Sequence, residues 1–535
     1  MSKIGDMRGF LASSIGVTCA AALALPLTPP AAAVNTPAPA SAAATAALTD
    51  NAATATARRS TAEASGSTQS LPLASLARDR SLGPAAEQGL PRREVRHFSL
   101  VGVVWDDPAT ELHGRVQVRT RAAGTGAWSG WQDVETHNAE HAADPDTAEG
   151  ASDRVRGATA PLWVGDSDGV EVRVRADAKI PAPHADEPAD GHRTATATSP
   201  LPAGMRLELV DPGEEATPAA PGTAAPGASV GGASASGTSV RATAPDALAR
   251  HTSVPVNGPQ VLAGYTTGRG NNSAAEPAKA LTAVQASAAN AELSVPLGAT
   301  AIPALDRKAT ERELFALRTG ESTKSLRGKP RGKPYIGPRP RIVTRRGWGA
   351  NEKLREQWFG YTSKVKAAFV HHTATGNGYK CAQAPSVIRG IYRYHVVSMG
   401  WRDIGYNFLV DKCGNIYEGR AGGVAKPVMG AHTLGFNTNS MGIAVLGSYS
   451  STKPSAATVK AIARLTAWKL GLHGVNPRAK TYLKSGGGNL YRKGKNVRLN
   501  VISGHRDGFA TECPGRKLYG KLGTARTTAA RYQGR

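Results

Sequence analysis

Residues Gly504–Gly515 read "GHRDGFATECPG", with a histidine, His505, a short loop ahead of a cysteine, Cys513. The histidine closes "LNVISGHRD", an apolar run that reads as a buried strand. Far upstream, "VKAAFVHHT" (Val365–Thr373) is a second short apolar strand, and it too ends in histidine, the pair His371 and His372. Two strands that each deliver an imidazole at their end, with a thiol on the loop beyond one of them, form a donor set that zinc accepts. A catalytic zinc site takes three protein ligands and leaves a fourth position for water. Side chains alternate between the faces of a strand, so only one of the His371/His372 pair can face such an ion. Taken alone, a His-x7-Cys spacing is a weak signal, because most single histidines are structural.

Cysteine usage sharpens the reading. The chain has 535 residues and 4 Cys, too few for a disulfide scaffold. Residues 1–33 carry Lys3 and Arg8, then an apolar run, then Ala31–Ala33, the order of a secretory signal peptide. A retained membrane anchor is the alternative, weakened by Ser13, Ser14, Gly16 and Thr18 inside the run. Removal of the signal takes Cys19 with it and leaves Cys381, Cys413 and Cys513, an odd number for an oxidising compartment. A thiolate held on zinc is protected from pairing. With Cys513 so assigned, Cys381 and Cys413 then form a disulfide.

Around these strands the text is mixed. "PSVIRGIYRYHVVSMG" spaces Val387, Ile388 and Ile391 for a helix between Pro385 and Gly400. "GYNFLVDKCGNIYEGR" reads as two strands about a Cys-Gly-Asn turn, "SMGIAVLGSY" as a buried strand, and "SAATVKAIARLTAWKLGLHG" as a helix with Val459, Ile462, Ala463, Leu465 and Trp468 on one stripe. The order gives an α/β domain, a central mixed β-sheet flanked by helices, over 336–535. Upstream, 92–213 holds period-two segments such as "GRVQVRTR" and "VEVRVRA", expected to form a β-sandwich-like accessory domain interrupted by a polar loop from His137 to Asp153. Segments 34–91 and 214–335 are rich in Ala, Thr, Ser, Pro and Gly and are expected to be a disordered tether and a low-complexity linker, with "ATERELFALRTGE" able to form a short helix.

Charge is unevenly spread. Residues 336–535 hold 33 of the 65 Lys and Arg but only 7 of the 41 Asp and Glu, so the whole formal charge of +24 resides there. Outside a cell such a charge suits a polyanionic partner, whether an anionic wall polymer, a membrane surface or stray nucleic acid, with solubility alone as the rival reading.

Four blocks in order, "VHHTAT", "GWRDIGYNFLVDKCGNIYEGR", "GAHTLGFNTNSMGIAVLGSY" and "GHRDGFATECPG", closely resemble the peptidoglycan recognition protein and type 2 N-acetylmuramoyl-L-alanine amidase family. The resemblance spans about Arg341 to Leu522 and does not cover the strand-rich domain. It implies a zinc amidase (Zn2+) that cuts the amide between the lactyl group of N-acetylmuramic acid and L-alanine by attack of zinc-bound water. By position, His371, His505 and Cys513 match the metal ligands. Tyr406 of "DIGYNF" matches the tyrosine near the attacked carbonyl, and Thr511 the residue two before the cysteine. His432 of "GAHT" resembles a cleft histidine, while Trp401, Asn437 and Arg420 are expected in the substrate groove, with sugar stacking on the ring and stem-peptide carboxylates on the guanidinium. Glu418 is the acidic group nearest by context for proton transfer, with a structural ion pair as the rival reading. His395 is expected to pack inside.

The reading is therefore a secreted or cell-wall-associated amidase with peptidoglycan as partner, no specific nucleic acid, and no transmembrane span once the signal is removed. The alternatives are a non-catalytic peptidoglycan-binding module, disfavoured because Cys513 is retained, and a polyanion binder. A basic hairpin is expected over Thr481–Asn500.

Overall fold

The structure, a computed structural model, describes residues 66–76, 87–177, 200–213, 275–321 and 334–535. The expected signal peptide, 1–33, lies outside the described residues.

Alternation in the first strand-rich segment produces what it should. β3 (Glu87–Trp105), β4 (Gly114–Ala122), β5 (Gln132–Val134), β7 (Leu162–Ala176) and β8 (Arg206–Asp211) join one antiparallel sheet in the order β8-β3-β7-β4-β5, with the two-residue β6 (Gly157–Ala158) on β3. Val116, Val118, Val170, Val172 and Val174 turn one face inward, while Arg115, Arg119, Arg173 and Arg175 stay at the surface or partly so. The tether expected over 34–91 needs correction at its end. β1 (Ser67–Pro72) pairs with β8 in full register from Ser67–Asp211 to Pro72–Arg206, and β2 (Ala74–Ser75) pairs with β3. Polar "STQSLP" forms a strand because its backbone completes a sheet edge, a reason that composition does not carry.

The carboxyl-terminal sheet runs β17-β11-β14-β12-β13-β10-β9 and is mixed. β11 (Ala367–His372), β14 (Ser440–Val445) and β17 (Ile502–Gly504) are parallel neighbours. They are buried along their whole length, as strands covered on both faces must be. β12 (Phe408–Val410) is parallel to β14 and antiparallel to β13 (Ile416–Glu418), the hairpin read from "NFLVDKCGNIYE". β10 (Ile342–Val343) and β9 (Ala301–Ile302) complete the edge. The linker expected over 214–335 is thus corrected in its second half: α1 (Ala275–Ala288), β9 and α2 (Arg307–Glu321) are built, and Leu293, Ile302 and Leu314 enter the main core.

α3 (Ala384–Arg393) buries Val387, Ile388 and Ile391, and α4 (Ala456–Leu472) buries Ile462, Ala463, Leu465 and Trp468. Ser455 caps α4 by accepting from the Thr458 amide at 3.0 Å. α5 (Arg516–Tyr519) and α6 (Leu522–Gln533) follow the last strand, and the expected hairpin forms from β15 (Lys480–Lys484) and β16 (Asn496–Asn500). Cys381 and Cys413 are bonded, tying the start of α3 to the β12–β13 turn. Among the described residues no helix is long and apolar enough to cross a membrane.

The two domains share a core. Leu100, Val104 and Val210 of the first sheet pack with Val387, Ile391 and Tyr394. Gly102 must lack a side chain, since a Cβ there would lie 2.4 Å from the Tyr394 hydroxyl. The accessory domain is therefore seated against α3, not tethered beside it.

Candidate metal centre

In the pairing of β11 with β17, Val370 lies opposite Gly504. The next residues are His371 and His505, so two parallel strands set two imidazoles side by side at their carboxyl ends, where open α/β sheets place their sites. The loop beyond His505 returns Cys513, held by the Arg506 amide donating to its carbonyl at 3.0 Å. Sγ of Cys513 is 3.8 Å from Nδ1 of His371, whose Nε2 lies 3.4 Å from the Thr433 hydroxyl. Such a partner on the far nitrogen fixes ring orientation in metal sites. His372 points away and accepts from the Tyr449 amide through Nδ1.

A fourth donor comes from the accessory domain. His141, in the loop between β5 and β6, puts Nε2 at 3.2 Å from Nδ1 of His505. The ligand atoms of His141, His371, His505 and Cys513 all lie within 4.8 Å of one another. All four residues are at most 5% exposed. Burial, helped by the neighbouring imidazoles, holds His371 and His505 well below the usual histidine range, and burial holds His141 down at about 3, so all three rings are neutral. Burial also pushes the Cys513 thiol up, so a thiolate here requires a cation beside it. Nδ1 of His141 and Nε2 of His505 are buried without partners. Three neutral imidazoles and one sulfur converging in a dry site fit a zinc ion.

Tyr406 is buried, its ring 5.6 Å from that of His371, and burial keeps its hydroxyl protonated far above neutral pH. Thr511 donates to Glu140 at 2.7 Å and accepts from the Cys513 amide at 3.1 Å. His432 is fully buried, its ring 5.2 Å from His371. Asn437 donates to Asp144 at 2.9 Å and to the Ala142 carbonyl, while Arg420 meets Glu149 through two 2.7 Å bonds. Trp401 is 4% exposed, its ring 4.5 Å from that of His395 and tilted to it by 47°. His395 packs inside, as expected.

Glu418 does not reach the centre. Its carboxylate accepts from Asn290 Nδ2 at 2.9 Å and from the Arg345 amide at 3.1 Å. Burial pushes it up to about 7. A carboxyl raised in the folded state favours folding while protonated, and that contribution is lost as pH rises through about 7. Thermal melts should therefore show a smaller loss of Tm between about pH 5 and about pH 8 for Glu418→Gln than for the parent; equal losses would show that Glu418 is not the responsible group.

Sequence reasoning missed His141 and its acidic neighbours. The available signal was composition: residues 135–153 carry Glu135, Glu140, Asp144, Asp146, Glu149 and Asp153 with no Lys or Arg, opposite in sign to the domain they touch.

A family model described as N-acetylmuramoyl-L-alanine amidase matches residues 361–516, and one described as Rv3811 N-terminal galactose-binding domain-like matches residues 50–200. Peptidoglycan-recognition protein SC2 of Drosophila simulans is 32% identical over 183 residues, 34% of this chain and 85% of that protein. Peptidoglycan-recognition protein 1 of Holotrichia diomphalia is 32% identical over 184 residues, 34% of this chain and 79% of that protein. The solved structure titled Drosophila PGRP-LB wild-type is 25% identical, covering 34% of this chain and 92% of its own, with a TM-score of 0.27.

Proposed function

Because the chain belongs to the family of peptidoglycan-recognition proteins and N-acetylmuramoyl-L-alanine amidases, we propose that it is a secreted, zinc-dependent amidase that hydrolyses the lactyl–L-alanine bond of peptidoglycan. The observation that carries this reading is the convergence of His371, His505 and Cys513 at the ends of two parallel strands, with the cysteine present. Zinc, when bound, supplies a Lewis acid that polarises the scissile carbonyl and makes water nucleophilic near neutral pH.

The chain's own groups do the rest. Thr433 orients His371. Tyr406, protonated at working pH, donates toward the oxygen on which negative charge develops, and Thr511 offers a second hydroxyl beside it; a donor so placed is worth about 3 kcal/mol. Arg420, Asn437 and His432 are the polar side chains we assign to the stem peptide and its flanking sugar. The basic hairpin, with Lys480, Lys484 and Arg498, suits anionic wall polymers, a contact that weakens with salt.

Elemental analysis should give one zinc per chain. Purified wall should yield new N-terminal L-alanine on incubation with the zinc-loaded protein, assayed both intact and with the accessory contact removed by His141→Ala. Chelation should stop the release and added zinc restore it. Zinc with no amino groups released by either form would leave a recognition module instead of an enzyme.

A further inference from the structure

The residues assigned above to metal and substrate are already engaged, and by one loop. His141 occupies the position beside His371, His505 and Cys513 that a catalytic site leaves for water; a shell of four protein ligands is the mark of a closed site. Glu140 accepts from Thr511, Asp144 from Asn437 and the Gly435 amide, and Glu149 from Arg420. These contacts are buried, apart from the half-open Thr511, and the loop is fixed from outside by Asp146 with Lys493 and by Arg154 with Glu356. Gly400, at φ +77°, accommodates it: a Cβ there would lie 1.9 Å from the Arg154 carbonyl oxygen. A stem peptide would present carboxylates to the donors of this cleft, Arg420 among them, and the loop presents carboxylates to the same side chains.

We propose that the loop from Glu135 to Asp153 is an internal occupant of the amidase cleft, with His141 as a fourth zinc ligand and Glu140, Asp144 and Glu149 in the places of substrate polar groups, so that the intact chain is latent. The geometry stands by itself; the word latent rests on the amidase reading. The loop is part of the same chain and its sheet shares a core with α3, so it meets the cleft as an intramolecular partner at high effective concentration. Opposite charge on loop and domain disfavours displacement by neutral competitors.

The test uses the full chain loaded with cobalt(II) in place of zinc, as parent and as His141→Ala, titrated with azide and followed by visible absorption. Azide should leave the parent spectrum unchanged and shift that of the variant, whose fourth position is open. Zinc should pass to a competing chelator about 100-fold faster from the variant, at the upper end of what even an indirect partner of a metal site costs. Wall hydrolysis should rise about 100-fold, the factor by which an occupant seated about 99% of the time lowers apparent affinity.

A second form guards against a variant that folds badly. A protease site inserted after Asp146, which is exposed, is cut on the folded, cobalt-loaded chain, and azide response and hydrolysis should appear on cutting. An azide shift in the uncut parent equal to that of the variant, or wall hydrolysis by the uncut parent at the variant's rate, would overturn the proposal. An azide response that appears only on opening, with no hydrolysis by any form, would sustain the loop as occupant and sink the amidase reading.

Discussion

Cys513→Ser, introduced into the His141→Ala chain, should remove zinc and wall hydrolysis together while leaving the fold intact. Cys513 is the one of these three donors that brings negative charge to the ion, because burial holds His371 and His505 neutral. A serine hydroxyl keeps the shape and gives up the thiolate. Zinc affinity should fall by at least about 100-fold, more than the loss of an indirect partner causes. Hydrolysis should fall by about 1,000-fold or more, equivalent to about 4 kcal/mol of transition-state stabilisation. The neighbouring strand position supplies the control. His372→Ala removes an imidazole that accepts from the Tyr449 amide and faces away from the cluster, so zinc content should remain one per chain. Full zinc and full hydrolysis in the Cys513→Ser protein would remove the thiol from the ligand set.

The second large effect is expected on stability. Arg345 is 2% exposed and donates to Glu352 at 2.7 and 3.2 Å, to Asp403 at 3.0 Å and to the Gly419 carbonyl at 2.6 Å, with its guanidinium 5.0 Å from the Tyr392 ring centre. Arg345→Met fills much of the same space and takes the cation from the buried Asp403 carboxylate, while Glu352 keeps only its pair with Arg355. Breaking a buried pair from one side costs about 3–5 kcal/mol, which for a domain of this size lowers Tm by about 10 °C. The loss also reaches the site. Asp403 accepts from the Ile404 and Ala421 amides, on either side of which stand Tyr406 and Arg420. We therefore expect the Met variant, assayed below its melting point with the loop opened, to show a raised KM as well. An unchanged melt would mean that this network does not brace the domain.

How much of this was legible in the chain differs from place to place. His371 lies at the end of one apolar strand and His505 just after another, with Cys513 on the loop beyond the second, and apolar runs and helical spacing identified β11, β14, α3 and α4 without reference to anything distant. The edges were less legible: "STQSLP" and "AEPAKALTAVQASA" are polar or alanine-rich, and they are structured because a sheet edge or a core face receives them. The least legible feature was His141. It meets His505 across 364 positions of sequence, and no periodicity or cap records such a meeting. The burial of Trp401 beside His395 was equally unreadable, because an aromatic near a groove looks the same in sequence whether its ring is open or packed.

The loop that fills the cleft belongs to the first of the two sheets, and the strands that carry the cluster belong to the last. The ribosome finishes residue 153 long before it reaches residue 371, and amino-terminal domains fold first. If the loop holds the cleft as proposed, every residue of the occupant has left the ribosome before the first strand of the cluster is made.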